Sequence, residues 1–335
     1  MTTLNVLHPG PSEAVQSCQS AKAHHDAISR IRRTLNDALR GKPDVVELVL
    51  ACILARGHLL IEDMPGLGKT TLAKALATCI GGRFSRLQCT PDLLPGDVTG
   101  FSVFNQKTRE FEFMPGPVFA DVLLVDEINR TTPRTQSALL EAMAEQQVTV
   151  DNVQHRLSET FFVIATQNPT EHHGTYPLPE AQLDRFAMKI QIGYPAREHE
   201  MDILAAAVGP CCVNDTPGIS GVVQPTDLHH LQQHVAAVSV SESLRGYLVD
   251  LANATRGHAS ARHGFSPRAL LTWQKLAQAH AFLQDRTFIV PEDITAMATP
   301  TLSVRLGLSQ AAAGAFVQEL LSRVVVPVKP TGART

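Results

Sequence analysis

The chain has 335 residues, of which 44% are hydrophobic and 18% charged, with a formal net charge of -3. That supplies apolar material for a sizeable core and length for two or three domains, and the slightly acidic balance disfavours nucleic acid as a partner. No apolar run approaches the ~20 residues of a membrane span and the N-terminus lacks a charged-then-apolar export pattern, so a cytoplasmic protein without a membrane span is expected.

Residues 1–20 contain Pro9, Gly10, Pro11 and several Ser and Gln, and read as a poorly ordered end. From Ala21 to Leu39 the spacing of Ile28, Ile31, Leu35, Ala38 and Leu39 predicts one face of a helix, stopped by Gly41 and Pro43. Asp44, with Glu47 three residues on, is expected to cap the next helix, which runs through the apolar stretch Val45–Leu54 to Gly57. The six cysteines (Cys18, Cys52, Cys79, Cys89, Cys211, Cys212) include no C-x-x-C pair and read as reduced thiols. The adjacent pairs His24-His25, His172-His173 and His229-His230 do not share a helix face and read as surface or loop residues rather than metal ligands.

The stretch Leu59-Leu60-Ile61-Glu62-Asp63-Met64-Pro65-Gly66-Leu67-Gly68-Lys69-Thr70-Thr71 organises the rest of the chain. An apolar strand, a glycine-containing turn ending in Gly68-Lys69-Thr70 and a helical pattern form a phosphate-binding P-loop. Its backbone N–H groups converge at a helix N-terminus, which favours an anion. Gly66 and Gly68 let the backbone approach a phosphate, Lys69 can reach the β- and γ-phosphates, and the Thr70 hydroxyl can hold Mg²⁺. The full pattern G-x-x-x-x-G-K-[ST] asks for Gly where this chain has Asp63.

After Gly81-Gly82 come a strand over Ser85–Cys89 and a hairpin, Phe101–Phe104 with Phe111–Phe113, closed by Pro115-Gly116-Pro117. The run Val122–Val125 reads as a buried parallel strand delivering Asp126 and Glu127 to the sheet's C-terminal edge. There Asp126 would hold Mg²⁺ through water and Glu127 would act as general base on the attacking water. Next come a helix over Pro133–Gln147, a second hairpin (148–150 with 155–157) and a buried strand Phe161–Ala165. That strand leads to Asn168, which either positions the same water or simply turns the chain before Pro169. After a last strand, Met188–Ile192, and an edge at Tyr194-Pro195, only helices are expected: about 198–208, 226–238, 241–256, 266–283, 291–298 and 309–324, with a loop over Cys211–Val223. Chemistry alone assigns Arg185 no role, since one Arg after an Asp is usually a surface salt bridge. Ser266-Pro267 is a good helix start, and it puts Arg268 in a first turn where the dipole disfavours a cation unless a phosphate or carboxylate meets it.

In this order the pieces resemble a MoxR-type AAA+ ATPase from about Gly57 onward. The resemblance is carried by Glu62–Thr71, Thr90–Asp97, Gly116–Ala120, Val125–Arg130, Gln136–Met143, Ala165–Pro169, Gly174–Phe186 and Ser266–Ala269. It implies an α/β fold: an AAA+ P-loop core with a parallel sheet, helices on both faces and two inserted hairpins, followed by an all-α lid. The implied division is a partly disordered, then helical extension (1–40), the core (41–197) and the lid (198–335). It further implies that Asp63, Met64, Pro65, Gly66, Leu67, Gly68, Lys69, Thr70 and Thr71 bind ATP, with Asp63 matching what other members carry. Thr70 and Asp126 would hold Mg²⁺. Lys69, Glu127, Asn168 (sensor 1), Arg185 (arginine finger) and Arg268 (sensor 2) would be catalytic. A finger acts across a subunit boundary, so a homo-oligomer is implied, a hexameric ring, with the two hairpins facing a pore or partner. The resemblance also implies a von Willebrand factor A domain partner and chaperone-like remodelling of a protein client. A nucleotide-dependent switch or scaffold with little turnover is the alternative.

Overall fold

The computed structural model describes residues 11–169, 174–207, 223–256, 264–306 and 310–327. Most of the expected loop Cys211–Val223, and the pair His172-His173, lie outside them. The centre is a five-stranded parallel sheet of β1 (Leu59–Glu62), β2 (Phe84–Gln88), β5 (Val122–Asp126), β8 (Phe162–Gln167) and β9 (Met188–Ile190), in the order β2-β5-β8-β1-β9. The apolar runs read from the sequence are its inner strands: Leu59–Ile61 and Val122–Val125 are wholly buried, as strands covered on both faces require. Two antiparallel hairpins stand off it, β3 (Gly100–Asn105) with β4 (Glu110–Pro115) and β6 (Gln147–Val150) with β7 (Val153–Arg156), as the turn signals predict. They touch where Phe113 stacks on His155, ring centroids 3.9 Å apart. Phe101, Phe104, Phe111 and Met114 on the first hairpin stay exposed.

One face of the sheet carries α1 (Pro11–Ala38), α2 (Pro43–Leu54) and α3 (Lys69–Cys79); the short α4 (Pro95–Thr99) precedes the first hairpin, α5 (Pro133–Glu145) covers the opposite face, and α6 (Glu180–Leu183) leads to β9. The C-terminal helices are α7 (Arg197–Ala207), α8 (Pro225–Ala236), α9 (Glu242–Arg256), α10 (Pro267–Leu283), α11 (Pro291–Ala296), α12 (Ala298–Arg305) and α13 (Gln310–Arg323). They are not packed apart from the rest. A single apolar cluster runs from Ile28 and Leu35 through Leu50, Leu72 and Ile164 to Trp273, Leu302 and Leu320. Trp273, wholly buried, donates its indole N–H to Ile294 O at 2.9 Å and so locks α10 to α11. No described helix is long and apolar enough to cross a membrane.

Three local expectations are corrected. Helix α1 begins at Pro11, not near Ala21: Pro suits the first helical position, and neither Gly nor Pro interrupts the chain again before Gly41. Asp44 does not cap α2. The N-cap is Lys42 with Pro43 next, no side chain caps the helix, and Glu47 instead pairs with Arg32 on α1. Helix α12 was not foreseen, because Pro300 falls inside it. It sits in the first turn, where a missing N–H costs nothing. Its last residue, Arg305, is 7% exposed and donates to Ala187 O and Phe186 O at 3.1 and 3.2 Å, pinning the helix to the residues that lead into β9.

Candidate functional site

The site follows from strand order. β1, β5 and β8 are neighbours, so their C-terminal ends open onto one edge, where open α/β sheets bind ligands. From β1 the chain turns through Gly66 (φ +86) and Gly68 (φ +83) into α3. Both glycines are left-handed, a conformation that disfavours any Cβ. A Cβ built at Gly66 meets nothing within 4 Å, so this side of the turn is an open cradle. No side chain caps α3, and the first amides of a helix have no partner within it. Lys69 Nζ donates to Asp63 O at 2.6 Å. Half-burial lowers the Lys69 pKa, and the nearby Asp63, Asp126 and Glu127 oppose that shift.

Asp126 closes β5, and Glu127 follows in the left-handed region (φ 57, ψ 52). This is a sparsely populated conformation for a non-glycine residue, one that persists only where the surroundings enforce it. Here Thr166 enforces it, accepting the Glu127 N–H at 2.9 Å. Neither carboxylate is idle. Arg86 Nε donates to Asp126 Oδ2 at 2.8 Å. Arg130 Nε lies 2.9 Å from Glu127 Oε2, and Gln88 Nε2 lies 3.4 Å from the same atom. Asn168 follows β8 directly. Asp63, Pro65, Gly66, Gly68, Lys69, Thr70, Thr71, Asp126, Glu127 and Asn168 all line one cavity of about 350 Å³, together with Arg86, Gln88 and Thr166. The last three were missed in the sequence. The available signal was Arg86 and Gln88 two apart on a strand, polar side chains on one face.

Other expected site residues are placed differently. Met64 and Leu67 are not among the cavity's lining residues; what they can offer an anion is backbone N–H. The Asp63 carboxylate turns away from the cradle and accepts the backbone N–H groups of Ile192 and Gly193. Arg185 and Arg268 line a second cavity, of about 330 Å³, with Arg56, Lys275, Glu145 and Asp184. It shares no lining residue with the first. Arg185 Nη1 donates to Leu140 O at 2.8 Å. Arg268 stands in the first turn of α10, whose N-cap Ser266 accepts the Ala269 N–H at 3.1 Å, as the sequence suggests. Four cationic and two acidic side chains make this second cavity a net positive patch.

The first cavity suits a magnesium nucleotide. The cradle is open, Thr70 and Asp126 supply hard oxygen donors, and a guanidinium already stands on Asp126 where a cation would.

Comparison with known proteins agrees with this geometry. Residues 58–188 match the model of the ATPase family associated with various cellular activities (AAA), and residues 253–324 match the AAA lid domain. The chain is 45% identical over 316 residues to the uncharacterized protein YeaC of Bacillus subtilis, covering 92% of this chain and 98% of that one. It is 36% identical over 330 residues to chaperone MoxR1 of Mycobacterium tuberculosis, covering 95% and 83%. A crystal structure described as a candidate ATPase from Cytophaga hutchinsonii superposes with a TM-score of 0.83 at 33% identity, covering 94% of this chain and 99% of that one. With a nucleotide cradle, an acidic pair at the end of β5 and a helical C-terminal half, the chain belongs to the MoxR family of AAA+ ATPases.

Proposed function

We propose that the protein hydrolyses ATP with Mg²⁺ as a homo-oligomeric ring, and couples turnover to chaperone-like remodelling of a protein client. The observation that carries this reading is the separation of Arg185 and Arg268 from the cavity that holds Lys69, Asp126, Glu127 and Asn168. One chain carries two half-sites, and a head-to-tail contact between copies brings one chain's cationic cavity to the next chain's nucleotide. In this reading Lys69 and the amides of Pro65–Thr71 hold the phosphates. Thr70 and Asp126 hold the metal, which when bound neutralises charge on the phosphate oxygens. Glu127 takes the proton of the attacking water, and Asn168 orients that water. Arg185 and Arg268 of a neighbouring copy stabilise the charge that develops in the transition state.

The core is taken as residues 41–197 and the lid as 198–335, after an extension over 1–40. Exposed Phe101, Phe104 and Phe111 on the first hairpin support a contact surface for a pore-bound client or a von Willebrand factor A domain partner, in a six-membered ring working in the cytoplasm. A second reading, a nucleotide-set switch or scaffold with little turnover, is favoured by one observation: Arg86 and Arg130 already engage both carboxylates. Steady-state hydrolysis against protein concentration separates the two. Specific activity that rises with concentration, and is lost in Glu127→Gln and Arg185→Ala while ATP still binds, supports the ring. Flat, near-zero turnover insensitive to Arg185 supports the switch.

A further inference from the structure

Asp63 is the residue by which this P-loop departs from the commoner glycine, and its surroundings show what the replacement adds. It is 8% exposed. Its N–H donates to Gln167 O at 3.1 Å, next to Asn168. Its carbonyl accepts Lys69 Nζ at 2.6 Å. Its Oδ2 accepts two backbone N–H groups, from Ile192 at 2.5 Å and Gly193 at 2.9 Å. Gly193 is left-handed (φ +65), so this is where the chain turns away from β9 towards α7 and the helical half. A carboxylate buried this deeply is tolerated only when its oxygens are well matched, and two converging amides provide that match. A glycine here could make the first two bonds but not the last two.

We propose that Asp63 is a positioning residue that couples phosphate occupancy of the P-loop to the Ile192–Gly193 link between the sheet and the helical half. The inference rests on the nucleotide reading of the first cavity. Lys69 has two alternative acceptors: the Asp63 carbonyl when the cradle is empty and a phosphate when it is filled. Moving Lys69 from one to the other frees the Asp63 peptide on one side, while its carboxylate still grips the link on the other. Lys69 and the link are thus joined through one buried residue, which is the contact path that coupling would use.

The test is amide hydrogen exchange at Ile192 and Gly193, with and without ADP, in the parent and in Asp63→Ala, Asp63→Ser and Asp63→Asn. ADP affinity is measured separately on each by calorimetry. In the parent, ADP changes exchange at these two amides by about fivefold or more beyond any general change in β5 and α5. Asp63→Ala removes that excess, and Asp63→Ser, too short to reach the link, does the same should the alanine variant not fold. Asp63→Asn keeps an oxygen in place and restores it. If ADP binds the parent but these amides do not respond, or respond in the alanine and serine variants as they do in the parent, the coupling is wrong and the nucleotide reading survives. Failure of the parent to bind ADP overturns both.

Discussion

An equal mixture of Glu127→Gln and Arg185→Ala chains is expected to hydrolyse ATP although neither variant does so alone. In the proposed ring each variant spoils a different half-site, since the two residues line separate cavities. With Arg185 as the proposed finger its removal lowers the rate by ~10³–10⁵, and with Glu127 as the proposed base its loss removes general-base catalysis, so each pure variant is expected to be close to silent. At a head-to-tail contact in the mixture, one chain supplies the nucleotide cavity and the next supplies the arginine. A working contact needs an Arg185→Ala chain on the nucleotide side and a Glu127→Gln chain on the arginine side. Random assembly gives that arrangement at about one contact in four, whatever the ring size. Recovery of about a quarter of parental activity is therefore expected. Loss of the fold does not explain the silence of the Arg185 variant, since the described bond of its side chain, to Leu140 O, contributes about 1 kcal/mol to a fold with roughly 5–15 kcal/mol of stability. The assay is phosphate release at a fixed total concentration across mixing ratios. A mixture no faster than its silent components would refute the shared site.

Two further outcomes are expected. His58 is buried and neutral: burial lowers its pKa from 6.5 to about 4, against a smaller upward effect of its bond to Met143 O. Because the folded value is depressed and the neutral form is the stable one, its contribution is whole above about pH 6.5 and is lost as pH falls towards 4. That is up to about 3 kcal/mol, read as a drop in the urea midpoint between pH 7 and 4.5 that a His58→Gln variant shows less steeply. Arg86 is half-exposed, so its pair with Asp126 is worth ~0.2–1 kcal/mol. Arg86→Ala is expected to lower the Mg²⁺ concentration for half-maximal nucleotide binding by up to about fivefold, and an unchanged titration would show that the guanidinium does not compete with the metal.

Much of the fold was legible because it rests on patterns that tertiary context rarely overrides. Val122–Val125 can only be a strand covered on both faces, and Gly66 and Gly68 ahead of Lys69 can hardly be anything but a tight strand-to-helix turn. What escaped depends on contacts distant in sequence. Asp44 and Glu47 satisfy the capping pattern, yet Arg32, on another helix, draws Glu47 away. α12 hides behind Pro300 because nothing local announces that the Phe186 and Ala187 carbonyls, just before β9, will accept from Arg305. The meeting of Arg185 and Arg268 depends on how α10 docks beside α6, which no local pattern encodes. Asp63 reads as a cradle residue, but only the arrival of Ile192 and Gly193 fixes where its carboxylate points.

The two cavities share no lining residue, yet one helix joins them. Gln136 on α5 donates to Ile128 O and Thr131 O, on the turn that carries Glu127, and to Tyr176 O at 3.0 Å on the segment leading to α6. One helical turn further along, Leu140 on the same helix accepts Arg185. Gln136 is 1% exposed, so these bonds are shielded from water and costly to leave unmade. A substitution at either cavity can therefore disturb the other through α5 within one chain. Loss of activity in a single variant consequently does not say which cavity the residue serves. Complementation between two silent variants does, because an intact α5 in each chain cannot supply a side chain that the same chain lacks. A restored rate then requires that Glu127 and Arg185 act on one nucleotide from different copies.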